Sequence, residues 1–180
     1  MKRGIITPLV YILTLLFIGY SYAANDTIRR KIDDTVITTK VKAQYAQDPL
    51  LNPLNIKVET KRGIVYLSGS LDTDMQYQQA ITLAEQTDNV KDIDANQLAV
   101  KNSPSPLSDT LITAKIKGLI LRDKTIKDAT TGSDISVETK NAVVYLSGTV
   151  NSMKQKNHVI ELAKSVKGVK NINDHLQTAS

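Results

Sequence analysis

Val58-Glu59-Thr60-Lys61-Arg62-Gly63-Ile64-Val65-Tyr66-Leu67-Ser68-Gly69 returns 79 residues later as Val137-Glu138-Thr139-Lys140-Asn141-Ala142-Val143-Val144-Tyr145-Leu146-Ser147-Gly148, with nine of twelve positions identical. Apolar and polar residues alternate from Ile56 to Thr60, then a short break leads into Ile64-Val65-Tyr66-Leu67. That pattern predicts a β-hairpin. Gly63 suits a turn that needs φ > 0. The second copy has Asn141-Ala142 there, and Asn tolerates that conformation better than Ala does.

Outward from the hairpin the repeat continues. Asp34-Thr35-Val36-Ile37-Thr38-Thr39-Lys40-Val41-Lys42 returns as Asp109-Thr110-Leu111-Ile112-Thr113-Ala114-Lys115-Ile116-Lys117, an offset of 75. The change in offset places four extra residues between Gly118 and Asp134, where Thr130-Thr131-Gly132-Ser133 reads as a loop. Val36, Ile37, Val41 and Tyr45 recur at helical spacing, as do Leu111, Ile112, Ile116, Leu119 and Ile120. Asp48-Pro49 stops the first of these helices, and Ser108 or Asp109 suits the N-cap of the second. After each hairpin come a longer helix (Thr73 to Thr87; Ser152 to Lys167) and a last strand (Asp92 to Val100; Asn171 to Thr178). The fold class is therefore α+β: two tandem αββαβ modules, each a three-stranded mixed sheet with two helices packed on one face. Residues 24–101 form the first module and 109–180 the second, joined by a linker over 102–108 that contains Ser103-Pro104-Ser105-Pro106. So short a linker brings the modules into contact.

The chain opens with Lys2 and Arg3, an apolar run from Ile5 to Ile18, and Ser21-Tyr22-Ala23. This is the pattern of a signal peptide cleaved after Ala23, leaving a soluble protein. The alternative is a retained anchor, against which stands an apolar run shorter than the ~20 residues that span a bilayer. With no cysteine in the sequence, disulfides and lipoprotein anchoring through cysteine are excluded. The net charge of +5 falls to +3 without Lys2 and Arg3 (21 basic, 18 acidic). For an exported protein the polyanions at hand are phospholipid headgroups and cell-wall polymers, so no nucleic-acid partner is expected.

Little in the chain suggests catalysis. His158 and His175 lack a His or Cys companion at metal-ligand spacing. Ser68 and Ser147 sit in Leu-Ser-Gly, without the Gly-x-Ser-x-Gly frame of a hydrolase, and read as strand-end serines before a turn glycine. No phosphate-binding glycine loop is present, and Asp33-Asp34 reads as helix N-terminal charge. No catalytic residue, cofactor or metal is expected.

Helix, hairpin ending in Val-Tyr-Leu-Ser-Gly, helix and strand together resemble the BON domain. The most specific parts are Val65 to Gly69 and Val144 to Gly148, with Val90-Lys91-Asp92-Ile93 and Val169-Lys170-Asn171-Ile172 after the longer helices. A signal peptide followed by two such domains resembles periplasmic double-BON proteins. The resemblance implies envelope integrity or osmotic stress as the setting, phospholipid binding for some members, a chaperone-like role for others, and no catalysis. The chain departs from lipid-anchored relatives in lacking a lipobox cysteine, and from the usual turn glycine at Ala142.

The two copies differ in charge. Asp26 to Lys101 carries 10 basic and 11 acidic residues; Asn102 to Ser180 carries 11 and 7. On the second module's longer helix Val159, Leu162, Ala163 and Val166 face the sheet. Beside them Met153, Lys156, Ile160, Lys164 and Lys167 lie within about 80° of one another, flanked by Lys154 and Lys170. The first module has Asp74, Tyr77, Ile81, Glu85 and Asp88 at the matching places. A basic band interleaved with Met and Ile suits an anionic phospholipid surface, so Met153, Lys154, Lys156, Ile160, Lys164 and Lys167 are the expected lipid-binding residues. Two other readings stay open: the acidic face of one module docking on the basic face of the other, and a solvated lysine face. Alternative functions are a periplasmic chaperone for unfolded or outer-membrane clients, and a structural adaptor for envelope complexes.

Overall fold

The computed structural model describes residues 28–101, 103, 107–127 and 134–179. The signal segment read over residues 1–23, part of the linker and the Thr130 to Ser133 loop lie outside the described residues.

Helix α1 covers 28–47 and buries Ile37, Val41 and Tyr45, one side chain per turn. It ends where Asp48 accepts from the Leu50 N–H and Pro49 offers no donor. A short 3-10 turn at Pro53–Asn55 leads into β1 (Ile56–Lys61) and β2 (Ile64–Leu71), which pair antiparallel with Val58 opposite Leu67. Helix α2 (Asp74–Glu85) then crosses to β3 (Asp92–Val100), which runs parallel to β2, giving the order β1-β2-β3. The second module repeats this with α3 (Leu107–Arg122), a four-residue α4 (Lys124–Lys127), β4 (Asp134–Lys140), β5 (Val143–Val150), α5 (Met153–Ser165) and β6 (Asn171–Thr178), order β4-β5-β6. This is the expected α+β pair of αββαβ modules. The 3-10 turn and α4 have no counterpart in the sequence reading.

Three local readings are corrected. Asp109 does not cap α3, which begins at Leu107, inside the stretch read as linker. Its carboxylate instead accepts from the N–H groups of Asn141 (2.7 Å) and Ala142 (2.9 Å). Asp34 is not an N-terminal dipole charge either, because it accepts from Arg62 and Gly63, both at 2.8 Å. Each first helix thus holds its module's hairpin turn through one carboxylate. In both turns the two central residues are left-handed, Arg62 and Gly63 (φ 55 and 81) and Asn141 and Ala142 (φ 54 and 63), as a two-residue hairpin requires. Thirdly, Gly69 and Gly148 are not turn glycines. They sit inside β2 and β5, opposite Ile56 and Ile135, and a Cβ there would land on the carbonyl oxygen of Asn55 or Asp134. Close strand approach explains Leu-Ser-Gly without any role for the serine.

Each module has its own apolar core, and the two modules dock through α2 and α3. Ala114 of α3 belongs to the first module's core, with Leu107 and Leu111 packed against it, while Ile112 and Ile116 of the same helix enter the second core. One helix therefore serves both cores.

Candidate functional site

Helix α5 is started by a reciprocal cap. Ser152 Oγ accepts from the Gln155 N–H (3.1 Å), and Gln155 Oε1 accepts from the Asn151 N–H (2.7 Å). From there the 3.6-residue period turns Val159, Ala163 and Val166 into the core. The band singled out from the sequence lies beside that stripe, and the structure divides it. Met153 is 60% exposed at the helix start, with Lys154 exposed beside it. Lys156 is turned inward, with Nζ 2.8 Å from Asp174 Oδ2 and donating to the Leu176 carbonyl at 2.6 Å. Burial would raise the Asp174 carboxyl, but hydrogen bonds from Lys156 and the Leu176 N–H hold it below the usual carboxylate range. Lys156 is therefore a strut between α5 and β6. Ile160 is half-buried against the core. Lys164 pairs with Glu161 at 2.8 Å, but both side chains are more than half exposed, so the pair is weak and open to exchange. Lys167 and Lys170 are exposed.

Between α5 and β6 runs a groove of about 250 Å³ lined by Ile160, Lys164, Val169, Lys170, Asn171, Ile172 and Asp174. In the first module the equivalent positions are filled. Ile81 and Glu85 are 0% and 4% exposed because α3 lies across them. Thr82 Oγ1 donates to the Ala114 carbonyl (3.3 Å), and Lys115 Nζ meets Asp92 at 2.6 Å. Arg122 stands 3.5 Å from Glu85 and donates to the Val90 carbonyl at 2.9 Å. Gly118 makes the crossing, since a Cβ there would stand 2.9 Å from the Thr82 carbonyl oxygen. Burial pushes the Glu85 carboxyl up to about 6, against the lowering pull of Arg122 and Lys115. Burial would also raise Asp92, but hydrogen bonds from Lys115 and the Ile93 N–H bring it below its usual range. Acidic groups of the first module thus do meet cations of the second, but on α3. Of the basic band, Lys167 reaches this cluster through its charge alone, which adds to the lowering of Asp92.

His158 lies 2.8 Å from Asp123, whose carboxylate also receives the N–H and hydroxyl of Thr125 at the start of α4, a structural arrangement. His175 is exposed on β6. Among the described residues no group of three or more His, Asp or Glu could hold a metal ion, and no helix is long and apolar enough to cross a membrane. The sequence reading missed a cleft of about 1010 Å³ between α1 and the free edge of β1, lined by Arg30, Lys31, Lys42, Lys61 and Arg62 together with Asp34 and Glu59. Its signal was the Arg29-Arg30-Lys31 run, which has no basic counterpart at the start of α3.

The BON domain family model matches residues 33–102 and 108–180. The chain is similar to osmotically-inducible protein Y of Escherichia coli (strain K12), 33% identical over 128 residues; the match covers 67% of this chain and 60% of that protein's length. It is 31% identical over 127 residues to an uncharacterized protein in the gshII 5' region of Anaplasma centrale, covering 68% of this chain and 80% of that one. Among solved structures, the C-terminal domain of CdsD, the structural protein of the type III secretion system of Chlamydia trachomatis, aligns with a TM-score of 0.32 and 16% identity, over 82% of this chain and 67% of that one.

Proposed function

The chain belongs to the BON domain family, and we propose that it is a non-enzymatic, periplasmic osmotic-stress protein of the cell envelope that binds anionic phospholipid surfaces mainly through its second module. The similarity to osmotically-inducible protein Y supports the setting. The observation that carries the binding reading is the contrast between two equivalent helix faces. On α2 that face is covered by α3 at Ile81 and Glu85; on α5 it is open at Ile160 and Lys164, and Met153, Lys154, Lys167 and Lys170 lie exposed around it.

Lysines near an anionic membrane contribute about 1 kcal/mol each. Three of them give about 3 kcal/mol, on the order of a hundredfold in partitioning. Such binding weakens as salt shortens the screening length. Flotation of the chain with phosphatidylglycerol vesicles against phosphatidylcholine vesicles tests the proposal. Flotation with the first alone, lost at high salt, is expected. Equal flotation with both, or with neither, would count against it.

A chaperone reading draws on a second observation. Leu50, Leu54 and Met75 are 45%, 91% and 65% exposed, and Gln76, next to Met75, donates to the Leu50 carbonyl. Such exposed apolar side chains suit extended, unfolded clients. Suppression of aggregation of a denatured outer-membrane protein, and its loss in Leu54→Ser with Met75→Ser, would support this reading; suppression unchanged in the double variant would remove it.

A further inference from the structure

We infer that the groove between α5 and β6 is a docking site for an amphipathic helix of a partner protein, and that this helix carries a carboxylate where α3 carries Arg122. The inference goes beyond the lipid reading. It uses Ile160 and Lys164 from the same face, so a docked helix and a membrane exclude one another.

The repeat itself shows what the groove accepts. Residues 160, 164, 169, 171 and 172 are the counterparts of Ile81, Glu85, Val90, Asp92 and Ile93, at the offset of 79 that relates the modules. In the first module those positions underlie a helix. Its apolar ridge is Leu107 and Leu111, followed by Ala114, then Gly118 at the closest approach, then a charged residue one turn further. The apolar floor is preserved in the second module, with Ile for Ile, Val for Val and Ile for Ile at 160, 169 and 172. The charges are not. Lys164 replaces the Glu85 that meets Arg122, and Asn171 replaces the Asp92 that meets Lys115. The same shape with the sign inverted at Lys164, and with Lys170 on the same wall, calls for an acidic side chain on the incoming helix.

A second copy of this chain does not meet that description. The face of α1 equivalent to the docking face of α3 is Ile32, Val36, Thr39, Lys40, Ala43 and Gln47, with Ile32 and Val36 56% and 46% exposed. It brings no carboxylate to Lys164. Ala43 also stands where Gly118 stands, and in the filled groove a Cβ at that place falls 2.9 Å from a backbone carbonyl oxygen. The helix α3 is itself already committed to the first module. The occupant is therefore a foreign helix with apolar residues at j and j+4, a small residue at j+7, glycine at j+11 and Asp or Glu at j+15, the spacing of Leu107, Leu111, Ala114, Gly118 and Arg122.

The test is fluorescence anisotropy on the full chain, without lipid, using a helix-stabilised 16-residue peptide. The peptide keeps the α3 ridge, is polar on its opposite face, and carries Glu in the place of Arg122. Saturable binding is expected, weakened at least tenfold by Lys164→Glu. The same peptide with Arg retained should bind the wild type at least tenfold more weakly and recover on the Lys164→Glu protein. Absence of saturable binding, or indifference to Lys164→Glu, overturns the proposal. Equal binding of a peptide of residues 28–47 also overturns it, by assigning the groove to a second copy. A peptide result of either sign leaves the vesicle result independent, so failure of one reading is distinguishable from failure of the other.

Discussion

Gly118→Ala gives opposite signs for a docked and an undocked α3. In an exposed helix interior, replacing Gly by Ala stabilises by about 1 kcal/mol, because the unfolded chain has less backbone entropy to lose on folding. At Gly118 the added carbon would stand 2.9 Å from both the Thr82 carbonyl oxygen and Glu85 Cγ, and closer still to Glu85 Cβ. Ordinary carbon contacts lie at about 3.5–4.0 Å. Neither the backbone oxygen nor Glu85 Cβ can turn aside, so α3 must slide away from α2. That movement loosens Ala114 in the first core and lengthens the Lys115–Asp92 and Arg122–Val90 contacts. Overpacking of this kind costs about 1–3 kcal/mol, more where backbone is struck. Set against the gain of about 1 kcal/mol in helix propensity, a net loss of up to about 2 kcal/mol is expected. Urea unfolding followed by circular dichroism reads it as a lower midpoint. A higher midpoint at unchanged slope would refute the packing of α3 on α2 and, with it, the contrast between filled and open grooves.

Other perturbations follow from the same contacts. Glu85 has its carboxyl raised to about 6 by burial, so the folded state binds more protons than the unfolded chain between the ordinary value and about 6, and stability falls as pH rises through that window. Relative to Glu85→Gln, the wild type should therefore gain about 2 kcal/mol as pH drops from 7 to about 4.5; a flat difference in pH-resolved urea unfolding would contradict the burial of this carboxylate. Ala142→Gly should raise stability by about 1 kcal/mol in the same assay, since φ of 63° strains alanine and not glycine. Asp109→Ala removes the acceptor of two turn N–H groups and should cost about 1–3 kcal/mol, with faster amide exchange at Asn141 and Ala142.

The fold was legible because each element announces its period in one short window. Ile56-Lys57-Val58-Glu59 alternates, Val159 to Val166 keeps the helical step, and the repeat states the order of the elements twice. The docking of the modules was not legible in the same way. Leu107 and Leu111 look like the edge of an ordinary amphipathic stripe, and nothing within a window links Arg122 to Glu85, 37 residues earlier. Comparing the two copies singled out the face on which Glu85 and Lys164 differ in sign at one position. It could not show that the difference arises from a helix lying on one of them. Asp34 and Asp109 were misread because their partners, the hairpin amides, are 28 to 33 residues away. Gly118 and Ala43 were a usable signal: a glycine inside one helix and not in its copy marks a close approach.

Flotation of full-length variants on phosphatidylglycerol vesicles tests the proposed role most directly. Charge reversal on α5, as Lys154→Glu, Lys164→Glu and Lys167→Glu together, should abolish flotation. Reversal in the first module's cleft, as Lys31→Glu, Lys42→Glu and Lys61→Glu together, should leave it largely intact. Retention in the α5 variant with loss in the cleft variant would contradict the assignment of lipid binding to the second module.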